Sequence, residues 1–300
     1  MIDLRRLRLL HEFAARGSIT AVAQALSFTP SAVSQQLARL EQETGAALLE
    51  KVGRGVQLTD AGRLLAAHAE RILASVDAAE ADLAAQNAVV RGRLRVGTFQ
   101  SAGLALLTPA LALLGSEHAG LEIEVIEADP EVTIPALLLG ELDLAFVDDY
   151  ERCPAALPGL DRQHLLDDGL NVVLPRGDTL AQVSEVRLAD LTRRPWASGR
   201  TGSAYAEAVE RACRELGGFE PRIWHRASDL LLLLGLVRAG RAVALLPDIL
   251  GADQDDSVAV RPIAGHTVKR EISTLVRTSS SVRPTVVALR TALAEVARSA

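Results

Sequence analysis

The sequence is poor in cysteine, in aromatic residues and in long apolar runs. Its 300 residues include two cysteines, Cys153 and Cys213, which are too few for a disulfide framework and are typical of a reducing compartment. The longest apolar run, Leu230–Val237, is far too short to cross a bilayer, and the charged N-terminal stretch shows no signal peptide. We therefore expect a cytoplasmic protein that does not enter a membrane.

Motifs of enzymes and of metal sites are missing as well. The sequence contains no glycine-rich phosphate loop of standard spacing, no Gly-x-Ser-x-Gly elbow and no His-Glu-x-x-His pair. The six histidines are scattered, and no set of residues has metal-ligand spacing. We expect no catalytic residues, no metal and no cofactor, and an enzyme is the least favoured class of function.

The composition is that of an ordinary globular protein, but the charge is unevenly distributed along the chain. A length of 300 residues suits about two domains. The net charge is −6, but residues 1–63 carry eight basic against six acidic side chains, so that the remaining residues account for −8. A mildly basic head on an acidic body is expected where only the head meets phosphate.

The first 45 residues have the pattern of a helix-turn-helix. Apolar residues recur at helical spacing from Leu4 to Ala14, and Gly17 interrupts them. A short helix follows, and a third begins at Thr29, a good N-cap before a proline, and ends near Gly45. Helix, break, helix, turn and helix is the arrangement that places a recognition helix in DNA, although a generic three-helix bundle has the same pattern.

The third helix and the segment after it carry polar side chains suited to DNA. Short hydroxyls and an amide on its outer face reach base edges or phosphates. A Gly-Arg-Gly tip between two β-capable pieces predicts a wing whose basic residues meet the backbone. The candidate DNA-binding residues are Thr29, Pro30, Ser31, Ser34, Gln35, Arg39, Lys51 and Arg54.

Residues 61–90 are predicted to form one long helix for dimerisation. Apolar residues alternate steps of three and four over about four heptads, which is the spacing of a coiled-coil seam. The candidate dimerisation residues are Leu65, Ala69, Ile72, Val76, Ala79 and Leu83.

Beyond Gly92, strands alternate with helices, which predicts an α/β fold with a mainly parallel sheet. Polar clusters follow several strands, where such folds bind ligands, and hydroxyls at helix starts suit a small anion. Arg200 adds a positive charge, so we expect an effector that is anionic, such as a carboxylate. The scarcity of aromatic residues argues against a pocket that stacks on a large ring. The candidate effector-binding residues are Thr98, Gln100, Ser101, Arg200, Thr201, Ser203 and Ser228.

Taken together, these motifs resemble the LysR-type transcriptional regulators over nearly the whole chain. The most specific stretch is Thr29–Glu41, and the departures from the family's pattern, such as Leu49 for a usual Phe, are at packing level. The matching stretches, in chain order, are Ala21–Ala23, Thr29–Glu41, Gly45, Leu48–Leu49, Leu58–Gly62, Gly92–Gly97, Gly140–Ala145 and Leu236–Pro247.

The resemblance implies a fold and three regions. An α-helix-rich winged helix-turn-helix at residues 1–60 would bind DNA, and a linker helix at 61–91 would dimerise. Residues 92–300 would form an α/β effector domain like a type II periplasmic binding protein, with lobe I at about 92–161 and 267–300 and lobe II at about 162–266.

The resemblance also implies a function and partners. The protein would bind double-stranded promoter DNA in a sequence-specific way, under the control of a small molecule held between the lobes. It would be a homodimer through the linker helix and, as is usual in the family, a homotetramer. Residue by residue, the resemblance places Ser31, Ser34 and Gln35 on DNA, Arg54 on phosphate, and Gln100, Ser101, Thr201 and Ser228 in the cleft.

Two alternatives remain open. A thiol-based redox regulator would use Cys153 and Cys213, which lie 60 residues apart. A cytoplasmic solute-binding protein would suit the C-terminal body alone, but the winged head opposes it.

Overall fold

The computed structural model describes residues 2–53, 55–85, 90–150, 157 and 159–299. Three helices form the head, the region up to Thr59. They start at side-chain caps from Asp3, Ser18 and Thr29, and the third ends at Gly45, whose φ of 66° is one that glycine adopts without strain. The predicted helix-turn-helix is confirmed. Its helices are α1 (Leu4–Arg16), α2 (Ile19–Ala25) and α3 (Pro30–Thr44).

The head has its own apolar core and a hairpin. Strands β1 (Leu49–Val52) and β2 (Gly55–Leu58) pair antiparallel, with Val52 opposite Gly55, as predicted for a wing. Arg54, which comes between the two strands in the sequence, lies outside the described residues. Side chains from all three helices and from the start of the hairpin fill the core, among them Leu10, Phe13, Val22, Val33, Leu37, Leu40 and Leu48.

The long helix α4 (Asp60–Ala85) leaves the head through a close backbone contact. The Thr59 hydroxyl accepts a hydrogen bond from the Gly62 amide (2.9 Å) and donates one to the Ala47 carbonyl (2.7 Å). A Cβ atom on Gly62 would lie 2.1 Å from the Leu48 carbonyl oxygen. Glycine is therefore required where α4 starts, because any larger residue would separate the helix from the hairpin.

The first lobe of the body is built on three parallel strands. The central strand β3 pairs with β4 on one side and β5 on the other. Apolar residues of these strands, such as Leu94 and Phe146, pack against the flanking helices. The elements are β3 (Arg91–Thr98), β4 (Gly120–Glu127), β5 (Leu144–Asp149), α5 (Gln100–Ala102), which continues through a π-helical turn into α6 (Thr108–Glu117), α7 (Pro130–Leu138) and α10 (Pro284–Ala297).

Two long antiparallel strands, β6 (Leu160–Pro175) and β11 (Val268–Arg277), join the lobes. β11 pairs with β5 of the first lobe, whereas the far end of β6 pairs with β9 (Ala244–Pro247) and β10 (Val258–Arg261). The expectation of a mainly parallel sheet is wrong here, since every pairing of these crossing strands is antiparallel. β6 is one strand of 16 residues, whereas the sequence predicts two shorter strands, around Arg162–Leu166 and Asn171–Leu174, separated by polar residues.

The second lobe surrounds Trp196, which is fully buried. Parallel strands β7 (Pro195–Ser198) and β8 (Arg222–Arg226) lie beside α8 (Ala204–Gly217) and α9 (Leu230–Arg238). Among the described residues, each lobe has its own cluster of buried apolar side chains, and strands β6 and β11 contribute to the clusters of both lobes. Within the described part of the chain, no helix is long and apolar enough to cross a membrane.

The contact at Gly62 predicts a stability effect. We expect Gly62→Ala to destabilise the head by about 1–3 kcal/mol, because the methyl group overlaps a backbone oxygen that cannot move freely. Urea unfolding followed by circular dichroism measures the change. Gly115→Ala in α6 is the matched control: its Cβ atom would meet nothing within 4 Å, so we expect equal or slightly greater stability. Equal midpoints for Gly62→Ala and wild type would contradict the proposed contact.

Candidate DNA-binding face and effector cleft

The outer face of α3 is exposed and polar. Val33, Leu37 and Leu40 point into the head, so the opposite side of the helix faces solvent. Thr29 Oγ1 accepts a hydrogen bond from the Ala32 amide (3.1 Å), and the Ser34 hydroxyl donates one to the Pro30 carbonyl (2.9 Å). These two hydroxyls therefore serve the helix itself. The exposed members of the face are Thr29, Pro30, Ser31, Ser34, Gln35 and Arg39.

Three side chains of this face are free to meet a ligand. Within the described residues, Ser31, Gln35 and Arg39 make no hydrogen bond or ion pair. Lys51 on the hairpin is likewise exposed. An amide, a guanidinium, a hydroxyl and an ammonium group can contact base edges and phosphates, whereas the predicted contact from Arg54 lies outside the described residues.

An ion pair fixes α3 against α1. Arg6 Nη2 lies 2.5 Å from Glu43 Oε1, and Arg6 Nη1 donates a hydrogen bond to Gln36 Oε1 (3.3 Å). The hydrogen bond from Arg6 lowers the pKa of Glu43 below its ordinary value. The pair therefore helps to set the angle at which α3 presents its outer face.

The predicted dimerisation residues fall into two groups. Ala69 is fully buried and Leu65 is half-buried within the single chain, and Leu65 packs against the core of the head. Ile72, Val76 and Ala79 instead line an open groove on α4. The side chain of Leu83 lies outside the described residues. The exposed apolar face is thus the second half of the predicted seam.

A cleft lies between the lobes, at the ends of β3 and β7. It holds about 560 Å³ of empty space, counting the part open to solvent. Of the residues predicted from the sequence, five line it: Gln100, Ser101, Arg200, Ser203 and Ser228.

Two predicted effector residues lie outside the lining of the cleft. Thr98 is buried at the end of β3, and its hydroxyl donates a hydrogen bond to the Phe99 carbonyl (3.1 Å). Thr201 is exposed in the turn before α8. Both residues adjoin segments that line the cleft, but neither is among the residues that line it.

Hydrogen bonds and an ion pair join the lobes across the cleft. Arg200 pairs with Asp129 of the first lobe, so the cation behind the expectation of an anionic effector already has a counter-ion. The amide of Gln100 donates to the Asp229 carboxylate, and its oxygen accepts from the Leu230 amide (3.0 Å). These side chains therefore connect the lobes as well as line the cleft.

The floor of the cleft is a buried guanidinium that the sequence analysis missed. Arg270, on β11, is 2% exposed and donates to Asp168 (2.9 Å), Asp148 (3.0 Å) and Ser101 (2.8 Å). Its guanidinium carbon lies 5.2 Å from the centre of the Phe99 ring. Burial opposes the charge of Arg270, but Tyr150 and the carboxylates of Asp148 and Asp168 outweigh burial and raise the pKa of Arg270. Burial raises the pKa of Asp168 despite its pairing with Arg270.

A sequence signal for Arg270 does exist. The residue lies just before the uncharged run Ile272–Val276, and a charge buried beside such a run needs counter-ions. The sequence pattern predicts a strand at Glu271–Arg277, which leaves Arg270 outside the strand and hides its need for counter-ions.

Three potential metal ligands approach one another on the crossing strands. One ligand atom each from His164, Asp167 and Glu271 lie within 4.8 Å of each other. Asp167, however, already pairs with Lys269, and this hydrogen bond lowers its pKa. The group is therefore an exposed ion-pair network around a carboxylate that has its counter-ion.

The environment of Cys213 does not favour redox sensing. It is fully buried in the core of the second lobe, and burial raises the pKa of its thiol to about 12. A reactive cysteine needs a lowered pKa and access to solvent. Cys153, the other half of that alternative, lies outside the described residues.

Both parts of the chain match families of known proteins. Residues 4–63 match the family described as bacterial regulatory helix-turn-helix protein, lysR family, and residues 87–298 match the LysR substrate binding domain. The transcriptional dual regulator GltC of Bacillus subtilis is 26% identical over 272 residues, which cover 90% of this chain and 89% of GltC.

Solved structures share the fold along the full length. A full-length OxyR variant from Pseudomonas aeruginosa has a TM-score of 0.65 at 19% identity and covers 98% of both chains. Full-length CbnR in complex with its target DNA has a TM-score of 0.57 at 23% identity, covering 98% of this chain and all of CbnR.

The buried thiol gives a direct test of the redox alternative. In a Cys153→Ser variant, Cys213 is the only cysteine, and its raised pKa keeps it protonated at about pH 8. We expect no reaction with Ellman's reagent in the native state and one equivalent after unfolding in urea. Rapid reaction of the native variant would restore the redox alternative.

Proposed function

The chain belongs to the LysR family of transcriptional regulators, and from this premise we propose which residues bind DNA, how copies assemble and how the cleft acts. A helix-turn-helix DNA-binding domain precedes a substrate-binding domain, so the protein is a transcriptional regulator. We propose that it regulates by binding alone, without catalysis, metal or cofactor, and that it does so in the cytoplasm, where chromosomal promoters are accessible.

We propose that α3 enters the major groove of promoter DNA. The observation that carries this proposal is its exposed face, on which the side chains of Gln35 and Arg39 have no partner among the described residues. Gln35 would read a base edge, and Arg39 a guanine or a phosphate. Thr29, Pro30 and Ser31 would bring the amides of the first turn to a phosphate, with Ser34 alongside. Lys51 and Arg54 would contact the backbone from the wing.

We propose that a small molecule binds in the cleft and changes the relation of the lobes. Gln100, Ser101, Arg200, Ser203 and Ser228 would contact it. Arg200 and Gln100 also hold the lobes together, so a ligand that competes for either side chain alters the cross-lobe bonds. This coupling supports control of DNA binding by the occupant of the cleft.

Substitution of Gln35 should separate specific from non-specific binding. We expect Gln35→Ala to weaken binding to the duplex upstream of the protein's own coding sequence by about 5- to 100-fold, the cost of one base contact. Affinity for a scrambled duplex should not change. Lys51→Ala should weaken binding to both duplexes, and the number of counter-ions released on binding should fall by about one. Fluorescence anisotropy at several salt concentrations measures all four values.

Arg187→Ala is the control for the loss of an exposed positive charge in Lys51→Ala. Arg187 pairs with Asp190 in the second lobe, away from the head, so both affinities should match wild type. An unchanged ratio of specific to non-specific affinity in Gln35→Ala would refute the role proposed for this residue.

We propose a homodimer formed through α4 and a homotetramer formed from two such dimers. Support comes from Ile72, which is 38% exposed, and from Val76 and Ala79, which line the same open groove on α4. The small residues would let two helices approach closely, as in a coiled coil.

A charge on this face should break the dimer. We expect Ile72→Asp to halve the mass measured by light scattering, because a carboxylate would be buried without a partner. Ala74→Asp adds the same charge at an exposed position on another side of α4 and should keep the wild-type mass. Equal masses for both variants would rule out this face as the interface.

A further inference from the structure

The cleft carries more negative than positive charge, and its positive charges are already paired. Asp129, Glu131 and Asp148 line it together with Arg200 and Arg270. Arg200 pairs with Asp129, and Arg270 lies between Asp148 and the buried Asp168. An anionic effector would have to displace a carboxylate from one guanidinium group, and it would also meet the like charge of Glu131.

Two carboxylates of the cleft, those of Glu131 and Asp148, can still accept hydrogen bonds from a ligand. Among the described residues, no cation pairs with Glu131, which is exposed at the cleft. Asp148 accepts hydrogen bonds from Arg270 and Tyr150 through Oδ2, and no described residue donates to Oδ1. A carboxylate with a free oxygen at a partly enclosed site binds a positively charged donor strongly.

The hydroxyls of the cleft mostly offer acceptors. Tyr150 donates its proton to Asp148 (3.0 Å), Tyr205 donates to the Leu245 carbonyl (2.6 Å), and Ser203 donates to the Arg200 carbonyl (2.9 Å). A hydroxyl group whose single proton is already donated in a hydrogen bond can offer a ligand only its acceptor lone pairs. The complementary ligand group is therefore rich in N–H donors.

Aromatic rings add a second, independent preference for a cation. The rings of Tyr150 and Tyr205 both line the cleft, with centroids 6.3 Å apart and planes tilted by 39°. An ammonium or guanidinium group near such faces is attracted to their π-electrons, whereas a carboxylate is not.

We infer that the effector is a small organic cation or zwitterion whose ammonium or guanidinium group binds at Asp148 and Glu131, beside the rings of Tyr150 and Tyr205. This inference rests on the proposed function of the cleft as the effector site, and it replaces the sequence-based expectation of an anion. A carboxylate on the same molecule would accept hydrogen bonds from Ser101 and Ser228, whose hydroxyl groups donate to no described residue.

The test compares small molecules of equal length and different charge on the full-length protein. Thermal shift followed by calorimetry would use putrescine, γ-aminobutyrate and succinate as a matched set within a panel of amino acids, polyamines and dicarboxylates. We expect compounds with an ammonium group to raise the melting temperature and succinate to leave it unchanged. Glu131→Gln and Asp148→Asn should each weaken the best amine by about tenfold or more.

Glu117→Gln is the control, because it removes an exposed carboxylate on α6 outside the cleft; amine affinity should stay at the wild-type value. Glu131 is itself exposed, so Glu131→Gln remains informative if Asp148→Asn does not fold. Stabilisation by dicarboxylates alone, binding of no amine in the panel, or unchanged amine affinity in both cleft variants would overturn the inference.

The ligand-free wild type separates this result from the proposed function. If it binds its promoter specifically while only anions bind the cleft, the charge inference fails and the regulator proposal stands. If it shows no sequence preference on DNA, the proposed function fails whatever the cleft binds.

Discussion

The structure of the body depends on one buried charge, the guanidinium of Arg270. It lies on β11 and meets Asp168 on β6, Asp148 on β5 and Ser101 at the start of α5. Arg270 stands directly opposite Asp168 in the register of the crossing strands. A slip of one residue would leave both charges buried without partners, at a cost of about 3–5 kcal/mol. The contact that selects the strand register therefore also forms the floor of the cleft.

The parts of the fold that could be predicted are those specified by local chemistry. Ser18 and Thr29 cap α2 and α3 through hydrogen bonds to amides three residues ahead, and Gly45 ends α3 in a conformation that favours glycine. Such signals need no knowledge of the rest of the chain. The crossing strands were different, because the polar run in β6 suggests a break when its partners on β11 are unknown. The pairing of β6 with β11, which are about 100 residues apart in the sequence, cannot be predicted from either segment alone.

The candidate site shows the same division. The sequence indicates which loops carry hydroxyls and amides, and five of seven candidate side chains lie at the cleft. It does not indicate what each side chain already bonds. Arg200 suggests an anion when considered alone and a satisfied ion pair when Asp129, 71 residues earlier, is seen beside it. The sequence gives the chemical type of each side chain, whereas the whole fold decides whether that side chain can still bind a ligand.

The missing side chain at Gly62 has a mechanical consequence for DNA binding. With no side-chain atoms between α4 and the Leu48 carbonyl, the start of the long helix packs directly against the start of the hairpin. In the proposed dimer, the crossing angle of the two α4 helices would then fix the distance between the two recognition helices. This angle would therefore determine which spacing of half-sites along the DNA the dimer prefers. A change of a few degrees between the linker helices would shift the preferred spacing without altering any residue that touches a base.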